Sequence, residues 1–238
     1  MKNILVLLLL GFMLSCTKQD AQQTTPQPSD PISDTQWHGE FFYANQSTRR
    51  VFTIQFKKDG DFIWQDMSGS YDGTWNLNEA NDKVTITFKA NGIQTSFTLL
   101  GTTELARPQN LNHSHWVILD PALRKIELPF VQNIGAKLPK TQWLGRLENY
   151  LFVFDETGTG KVTWRWPRNG NAVYGHANYT LTSPVVLADE ADMAQGYRCR
   201  FFGVFINEKT LRVNSWIWKP GQEQTTLRIE NSEDYSLK

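Results

Sequence analysis

The chain has 238 residues, with 24 Lys and Arg against 24 Asp and Glu, so its formal net charge at pH 7 is zero. This balance argues against a nucleic-acid-binding protein, which needs a basic face, and we expect no nucleic-acid partner. Aromatic residues are abundant (14 Phe, 9 Trp and 7 Tyr), whereas only two cysteines are present, which excludes a metal centre built from a cysteine cluster.

The first sixteen residues combine a charged start with a short apolar stretch. Lys2 precedes a mostly apolar run over residues 4–14, and Ser15-Cys16 follows it. Such a segment is typical of a secretory signal, and it is shorter than the roughly 20 residues that span a bilayer. The cysteine after a small residue resembles the signal of bacterial lipoproteins, in which residues 1–15 would be the signal peptide and Cys16 would be lipidated. An ordinary secretory signal with a chance cysteine is the alternative.

The lipoprotein resemblance also implies a location. Thr17, rather than Asp, follows Cys16, and in such lipoproteins this favours sorting to the outer membrane. Residues 16–34 would then be the lipidated cysteine and a disordered tether, because Gln, Thr, Ser, Asp and Pro dominate and cannot bury enough apolar area to order the segment. We therefore expect a membrane partner through an N-terminal lipid.

From Trp37 onward the sequence alternates with a period of two, which indicates half-buried antiparallel strands. Residues 51–57 and 84–89 place apolar side chains on one face and polar ones on the other. Asp59-Gly60 between two such runs predicts a hairpin turn. The pattern predicts eight strands in this half, at about 36–43, 51–57, 61–66, 71–77, 84–90, 94–100, 115–119 and 125–130.

A sequence motif recurs in the second half. Thr35-Gln36-Trp37-His38-Gly39 returns as Thr141-Gln142-Trp143-Leu144-Gly145, and an apolar strand, a turn and an aromatic strand follow each copy. The repeat predicts two β domains, at 35–138 and 139–238. The second would have strands near 142–154, 161–166, 172–182, 184–188, 197–206, 210–218 and 225–231.

The order of these motifs carries a resemblance over residues 36–100. Trp-x-Gly, a Phe-rich strand, Asp-Gly, an aromatic strand, Gly73-Thr74-Trp75 and a Val-Thr-Ile-Thr strand resemble the lipocalin-like domains of Bacteroidetes lipoproteins. The resemblance implies an all-β chain with two tandem small antiparallel β-barrels or sandwiches. Barrels of this kind hold a small ligand in some proteins.

Few residues carry chemistry, so we expect neither a cofactor nor a metal and favour a non-catalytic protein. His113 and His115 could share one face of a strand, but zinc needs three or four ligands. The acidic run 189–192 lacks the glycine turn of a calcium loop. Cys199 lies in an alternating strand and reads as a small buried hydrophobe. Scattered carboxylates leave a hydrolase as a third hypothesis, without a locatable pair.

The tryptophans of one strand suggest a binding surface. Within residues 211–218, the apolar side chains Leu211, Val213 and Ile217 share one face, and the opposite face carries Arg212, Asn214, Trp216 and Trp218. Aromatic rings beside polar groups suit a glycan, a small ligand or a protein partner. The alternative is that both faces are covered, one by the barrel interior and one by the neighbouring domain. We therefore predict a ligand-binding lipoprotein, with a structural subunit of an envelope complex as the alternative.

Overall fold

The computed structural model describes residues 32–43, 48–79, 83–90, 93–100, 117–119, 124–127, 134–135, 137–146, 150–155, 160–170, 172–229 and 232–238. These residues form two antiparallel sheets and two 3₁₀ turns. A one-turn helix, Glu223–Thr226, follows the strand Thr210–Trp218. The predicted all-β fold is confirmed: one sheet is separate and the other closes into a barrel of eight strands. Cys16 and residues 17–31 of the predicted tether lie outside the described residues. The last three residues of the predicted tether are ordered, because Ile32 is buried in the core of the first sheet and Asp34 accepts a hydrogen bond from the backbone N–H of Lys58.

The first sheet contains the strands before residue 127. Their order is β6-β5-β4-β3-β2-β1-β7, and β8 also pairs with β1. The strands are β1 (Thr35–Tyr43), β2 (Arg50–Phe56), β3 (Asp61–Asp66), β4 (Gly69–Leu77), β5 (Lys83–Ala90), β6 (Ile93–Leu100), β7 (Val117–Leu119) and β8 (Arg124–Ile126).

The second sheet contains the strands from residue 142 onward. They are β9 (Gln142–Gly145), β10 (Leu151–Phe154), β11 (Lys161–Trp166), β12 (Ala172–Thr182), β13 (Val185–Met193), β14 (Arg198–Asn207), β15 (Thr210–Trp218), β16 (Arg228–Ile229) and β17 (Glu233–Leu237). Neighbours in sequence pair from β9 to β15, and β17 pairs with both β15 and β9. This double pairing closes the barrel, while β16 pairs with the far end of β15.

In each sheet, the alternation of side chains along the strands places aromatic residues on the face that covers the core. In the barrel, Phe152, Phe201 and Phe205 are fully buried and pack with Trp143 and Trp164 in one core. The first sheet has its own core. There, Phe52 stacks on Trp64 with ring centroids 4.0 Å apart. Aromatic pairs of this kind contribute about 0.5–1.5 kcal/mol of stability in addition to the effect of the apolar area they bury, so they stabilise both cores.

The outer face of the first sheet packs against the barrel. In β2, Phe52, Ile54 and Phe56 face the sheet's own core, yet Val51 and Thr53 on the opposite face are also buried. A strand buried on both faces indicates that a second layer covers it. The interface cluster consists of Val51, Met67 and Ile126 from the first sheet and Val185, Phe202 and Val204 from the barrel.

Asn214 on β15 links the two sheets through its side-chain amide. It is fully buried, its Oδ1 accepts the backbone N–H of Val51, and its Nδ2 donates to the carbonyl oxygen of Arg49 at 2.8 Å. A buried amide in an apolar interface is tolerated when its groups are paired in this way. Asn214 therefore fixes the position of β2 on the barrel.

The predicted strands of the first half agree closely with the observed ones, and the second half differs in four places. The segment predicted at 184–188 is the longer strand β13, since its pairing with β12 continues to Met193. The segment predicted as one strand over 142–154 is two strands, β9 and β10, since the chain leaves the sheet after Gly145. The segment predicted at 225–231 begins as a helical turn and pairs only over Arg228–Ile229. Strand β17, which closes the barrel, was not predicted.

Candidate functional site

A cleft of about 580 Å³ opens into the barrel at the end where β9 stops and β10 starts, here called the mouth. Arg146 follows β9, Tyr150 precedes β10, and Glu233 begins β17, and all three line the cleft. Its volume falls within the range of about 300–1,000 Å³ that is usual for small-molecule sites. The cleft is therefore large enough for a small ligand.

The floor of the cleft belongs to the barrel core. Trp164, Met193, Cys199 and Ile217 line it, and each is buried in that core. The inward row of β15 supplies the space, because the small Ser215 follows Val213 in that row and also lines the cleft. A small side chain among large ones leaves room that the neighbouring rings do not fill.

The rim of the cleft is a network of charged side chains centred on Arg212. Its guanidinium binds Asp234 through two hydrogen bonds of 2.6 and 2.9 Å and lies 3.5 Å from the carboxylate of Glu40. Glu40 also lies 3.7 Å from Arg49 and accepts a hydrogen bond from the Ser232 hydroxyl. Bidentate Arg–carboxylate pairs have fixed geometry, so these groups form a preorganised polar rim.

The charges that line the cleft balance one another. Three arginines (49, 146 and 212) face three carboxylates (Glu40, Glu233 and Asp234). Such a rim offers both donors and acceptors of hydrogen bonds without a strong net field. It therefore favours a polar ligand without a large net charge over a strongly ionic one.

His38 lies beside this network on β1. Burial, together with the positive charges of Arg212 and Arg124, lowers the pKa of His38 to about 4, while Asp234 acts in the opposite direction. Its Nδ1 is buried and has no hydrogen-bond partner among the described residues. His38 is therefore neutral at pH 7 and adds no charge to the rim.

The four residues predicted to bind ligand occupy three different environments. Arg212 lines the cleft, whereas Asn214 is the buried link between the sheets. Trp216 is half-buried, packs against the interface cluster, and has the Arg50 guanidinium 5.7 Å from its ring centroid. Trp218 is half-buried at the mouth end of β15 and does not line the cleft. The structure thus brings only Arg212 to the cleft.

The other sequence candidates do not gather into a site. Leu211, Val213 and Ile217 face the barrel core, as alternation predicted. Cys199 is buried in the floor of the cleft, and its thiol donates to the carbonyl oxygen of Arg200 at 3.5 Å. From the acidic run, Asp192 forms an ion pair with Arg198. His113 and His115 lie outside the described residues.

In the part of the chain that the structure describes, no three His, Cys, Asp or Glu side chains come together as ligands for a metal ion. No helix among these residues combines the length and the apolar character needed to cross a membrane.

Sequence reasoning missed most of the cleft. Arg146, Tyr150, Glu233 and Asp234 come from the break between β9 and β10 and from the unpredicted strand β17. These segments are about 90 residues apart and show no shared pattern. The only sequence signal was the arginine on the polar face of β15.

Neither a scan of the chain against models of known protein families nor a search of curated proteins gives a match. The geometry of the cleft therefore carries the functional conclusion.

Proposed function

We propose that this chain is a non-catalytic binding protein of the cell envelope and that the cleft at the barrel mouth takes up a small ligand. The observation that carries the proposal is the cleft itself, in which an apolar and aromatic floor meets a polar rim. Ligand sites commonly combine such a floor with a few fixed polar groups, which orient the ligand. A glycan or another small polar molecule suits this combination.

The rim supports binding rather than chemistry. Arg212 holds the carboxylates of Glu40 and Asp234 in ion pairs, so their oxygens are fixed as hydrogen-bond acceptors. A rim that is already ordered loses little conformational entropy when a ligand arrives, and this raises affinity.

In this proposal, a lipid on Cys16 anchors the protein to the outer membrane, and the segment between Cys16 and the buried Ile32 holds the β-sheets away from the bilayer. The support is the order of charged start, apolar run, small residue and cysteine in the sequence. Intact-mass analysis of membrane-extracted protein should show a chain that begins at Cys16 and carries acyl mass. A Cys16→Ser variant should lack that mass, and a wild-type product cleaved at another position would contradict the anchor.

The cleft is tested by filling it. Ser215→Trp places a large side chain in the inward row of β15, and we expect it to abolish ligand binding while the barrel remains folded. The ligand is sought by saturation-transfer NMR with a library of neutral sugars and small polar metabolites. Ser236→Trp is the matched control, because Ser236 is exposed on β17 and does not line the cleft.

Two outcomes would overturn the proposal. One is the absence of binding by any library compound to the wild-type protein. The other is a ligand that binds Ser215→Trp and wild type with equal affinity, since that ligand would then lie outside the cleft.

A further inference from the structure

Three aromatic rings form a continuous strip from the cleft to the barrel surface. Tyr150 lines the cleft, and its ring centroid lies 5.8 Å from that of Tyr174. Tyr174 in turn meets Trp166 edge-on, with centroids 5.9 Å apart. We call Tyr150, Tyr174 and Trp166 the aromatic strip.

Trp166 continues an inward row of side chains beyond the barrel rim. Trp164, two residues earlier on β11, is 2% exposed and forms part of the cleft floor, whereas Trp166 at the end of the strand is 41% exposed. Only four large hydrophobic side chains of the described residues are this exposed, and Trp166 is the sole aromatic one. Because the Trp166 ring meets Tyr174, the exposed indole belongs to a contiguous aromatic patch beside the cleft, and such patches mark surfaces that a ligand covers.

A β-bulge positions the middle ring of the strip. Trp164 pairs with Gly175 and Arg165 pairs with Val173, so Tyr174 between them has no partner across the strands. Bulges commonly redirect a side chain at the rim of a barrel or beside a functional site. Here the extra residue puts the Tyr174 ring in contact with both Tyr150 and Trp166.

We infer that the ligand is an oligosaccharide that lies along the aromatic strip and enters the cleft with one end. Sugar rings have flat apolar faces that stack on aromatic rings and hydroxyl groups at their edges that exchange hydrogen bonds. The strip supplies the aromatic faces, and the charge-balanced rim around Arg212 supplies donors and acceptors. A neutral chain of several rings satisfies both, whereas a single sugar bound in the cleft would leave Trp166 uncovered.

This inference rests on the proposed function, because the strip leads into the same cleft. It adds the chemical class and the length of the ligand. The two can fail separately, since a small ligand could occupy the cleft without touching Trp166.

The test compares long and short sugars on one variant. Isothermal titration calorimetry would measure the binding of maltotriose, cellotriose and chitotriose, and of glucose and N-acetylglucosamine, to wild-type protein and Trp166→Ala. For the trisaccharide that binds, we expect Trp166→Ala to lower the affinity about tenfold, the size of a contact that dominates an interface. The corresponding monosaccharide should lose less than about twofold.

Trp218→Ala is the matched control. Trp218 lies at the same end of the same barrel but belongs neither to the cleft lining nor to the aromatic strip, so its removal should leave trisaccharide affinity unchanged. Thermal unfolding of both variants checks that the fold is intact. Upfield ring-current shifts of the sugar protons, caused by the Trp166 indole and lost in Trp166→Ala, provide a second readout of stacking.

The contradicting outcomes are distinct. The inference that the ligand lies along the aromatic strip would be overturned if Trp166→Ala lowers the affinities for the trisaccharide and the monosaccharide equally. It would also be overturned if Trp218→Ala lowers the trisaccharide affinity and Trp166→Ala does not. The same holds if none of the three trisaccharides binds but another compound binds in a manner that Ser215→Trp abolishes, and in that case the proposed function stands.

Discussion

The two halves of the chain start their sheets with the same local structure. Thr35 and Thr141 each donate both the backbone N–H and the hydroxyl to the carbonyl oxygen three positions earlier, on Ile32 and Leu138 respectively. The two backbone hydrogen bonds measure 3.1 and 3.2 Å. Each threonine hydroxyl also accepts the indole N–H of the tryptophan two residues later, at 2.7 and 2.9 Å. The repeated motif is thus a repeated set of hydrogen bonds.

The halves differ in how they end. In the second half, β17 pairs with both β9 and β15, and the sheet closes on itself. In the first half, within the described residues, β6 and β7 stand at opposite ends of the strand order. The interior of a closed barrel can be left partly empty, and no strand of such a barrel is an unpaired edge strand. The shared motif therefore sets the first strand of each sheet, and the last strand decides whether a cleft can form.

The largest effect should come from the tryptophan of the repeated motif. Trp143 is 1% exposed in the barrel core and packs edge-on against Phe205, whereas Trp37 is only half-buried. Trp143→Ala should therefore lower the free energy of unfolding by about 3–5 kcal/mol. Trp37→Ala should cost about half as much. Urea unfolding of both variants measures the difference, and a larger loss for Trp37→Ala would show that the open sheet depends more on the motif.

The second prediction concerns the contact between the halves. Asn214→Ala leaves the buried N–H of Val51 without its side-chain partner, whereas the carbonyl oxygen of Arg49 keeps the backbone N–H of Ser232 at 3.0 Å. A buried donor left unpaired costs about 1–3 kcal/mol, so we expect a loss of up to about 3 kcal/mol in unfolding free energy. Asn178→Ala, at an exposed position of β12, is the control and should change little.

Hydrogen exchange would locate the effect of Asn214→Ala. Faster exchange confined to β2 and β15 would agree with a loosened interface. Unchanged exchange at Val51 would contradict the role given to Asn214.

Sequence periodicity predicted most strands because each of them buries one face. The segments 61–66, 161–166 and 210–218 were predicted with the observed bounds. Strand β17 escaped prediction because Tyr235 is its only buried residue and the rest of Glu233–Leu237 is polar or exposed. Sequence periodicity reveals a strand by its apolar face. A strand that closes a barrel mainly through backbone pairing therefore gives only a weak periodic pattern.

The candidate site was harder to predict than the fold. Alternation showed that Trp216 points away from the barrel core, and the structure agrees. What covers that outer face is β2 and its neighbours, about 160 residues earlier in the chain. A cleft assembled from Glu40, Arg146, Ser215 and Asp234 likewise depends on tertiary contacts that no local pattern encodes.

The third prediction uses the fourth position of the repeated motif, which is His38 in the first half and Leu144 in the second. Folding lowers the pKa of His38 from 6.5 to about 4. Between these two pKa values, the His38 imidazole therefore binds a proton in the unfolded chain but stays neutral in the folded protein. The contribution of His38 to stability should be constant above about pH 6.5, fall as the pH drops toward 4, and level off below it, by about 3 kcal/mol in all.

His38→Leu imports the residue of the second half and should remove this part of the pH dependence. The His38 Nδ1 has no partner among the described residues, so the substitution leaves no group there unpaired. Burial raises the pKa of Asp66, which acts with the opposite sign, but this contribution is common to both proteins and cancels in their difference. Urea unfolding between pH 4 and 7.5 checks the prediction, with exposed His176→Leu as the control. Equal slopes for wild type and His38→Leu would contradict it.

The smallest effects should separate two tryptophans of one strand face. Trp216 and Trp218 point the same way, but the first half covers only Trp216, which packs on the interface cluster beneath Arg50. Arg50 itself is 5% exposed, so removing the Trp216 ring takes a cation–π contact from a desolvated guanidinium. Because Trp216 is half-buried, Trp216→Ala should cost about 1–2 kcal/mol, less than the 3–5 of a fully buried tryptophan.

Trp218→Ala should cost less than Trp216→Ala, about 1 kcal/mol at most, because Trp218 is also half-buried but packs against none of the three apolar clusters of the described residues. Thermal and urea unfolding of the two variants measure both values on the same strand. Equal losses would mean that neighbouring residues also cover Trp218. The barrel mouth would then be more enclosed than the cleft lining, which does not include Trp218, indicates. A negligible loss for Trp216→Ala would instead show that the first sheet contributes little to holding this face, which would weaken the role given to the interface cluster.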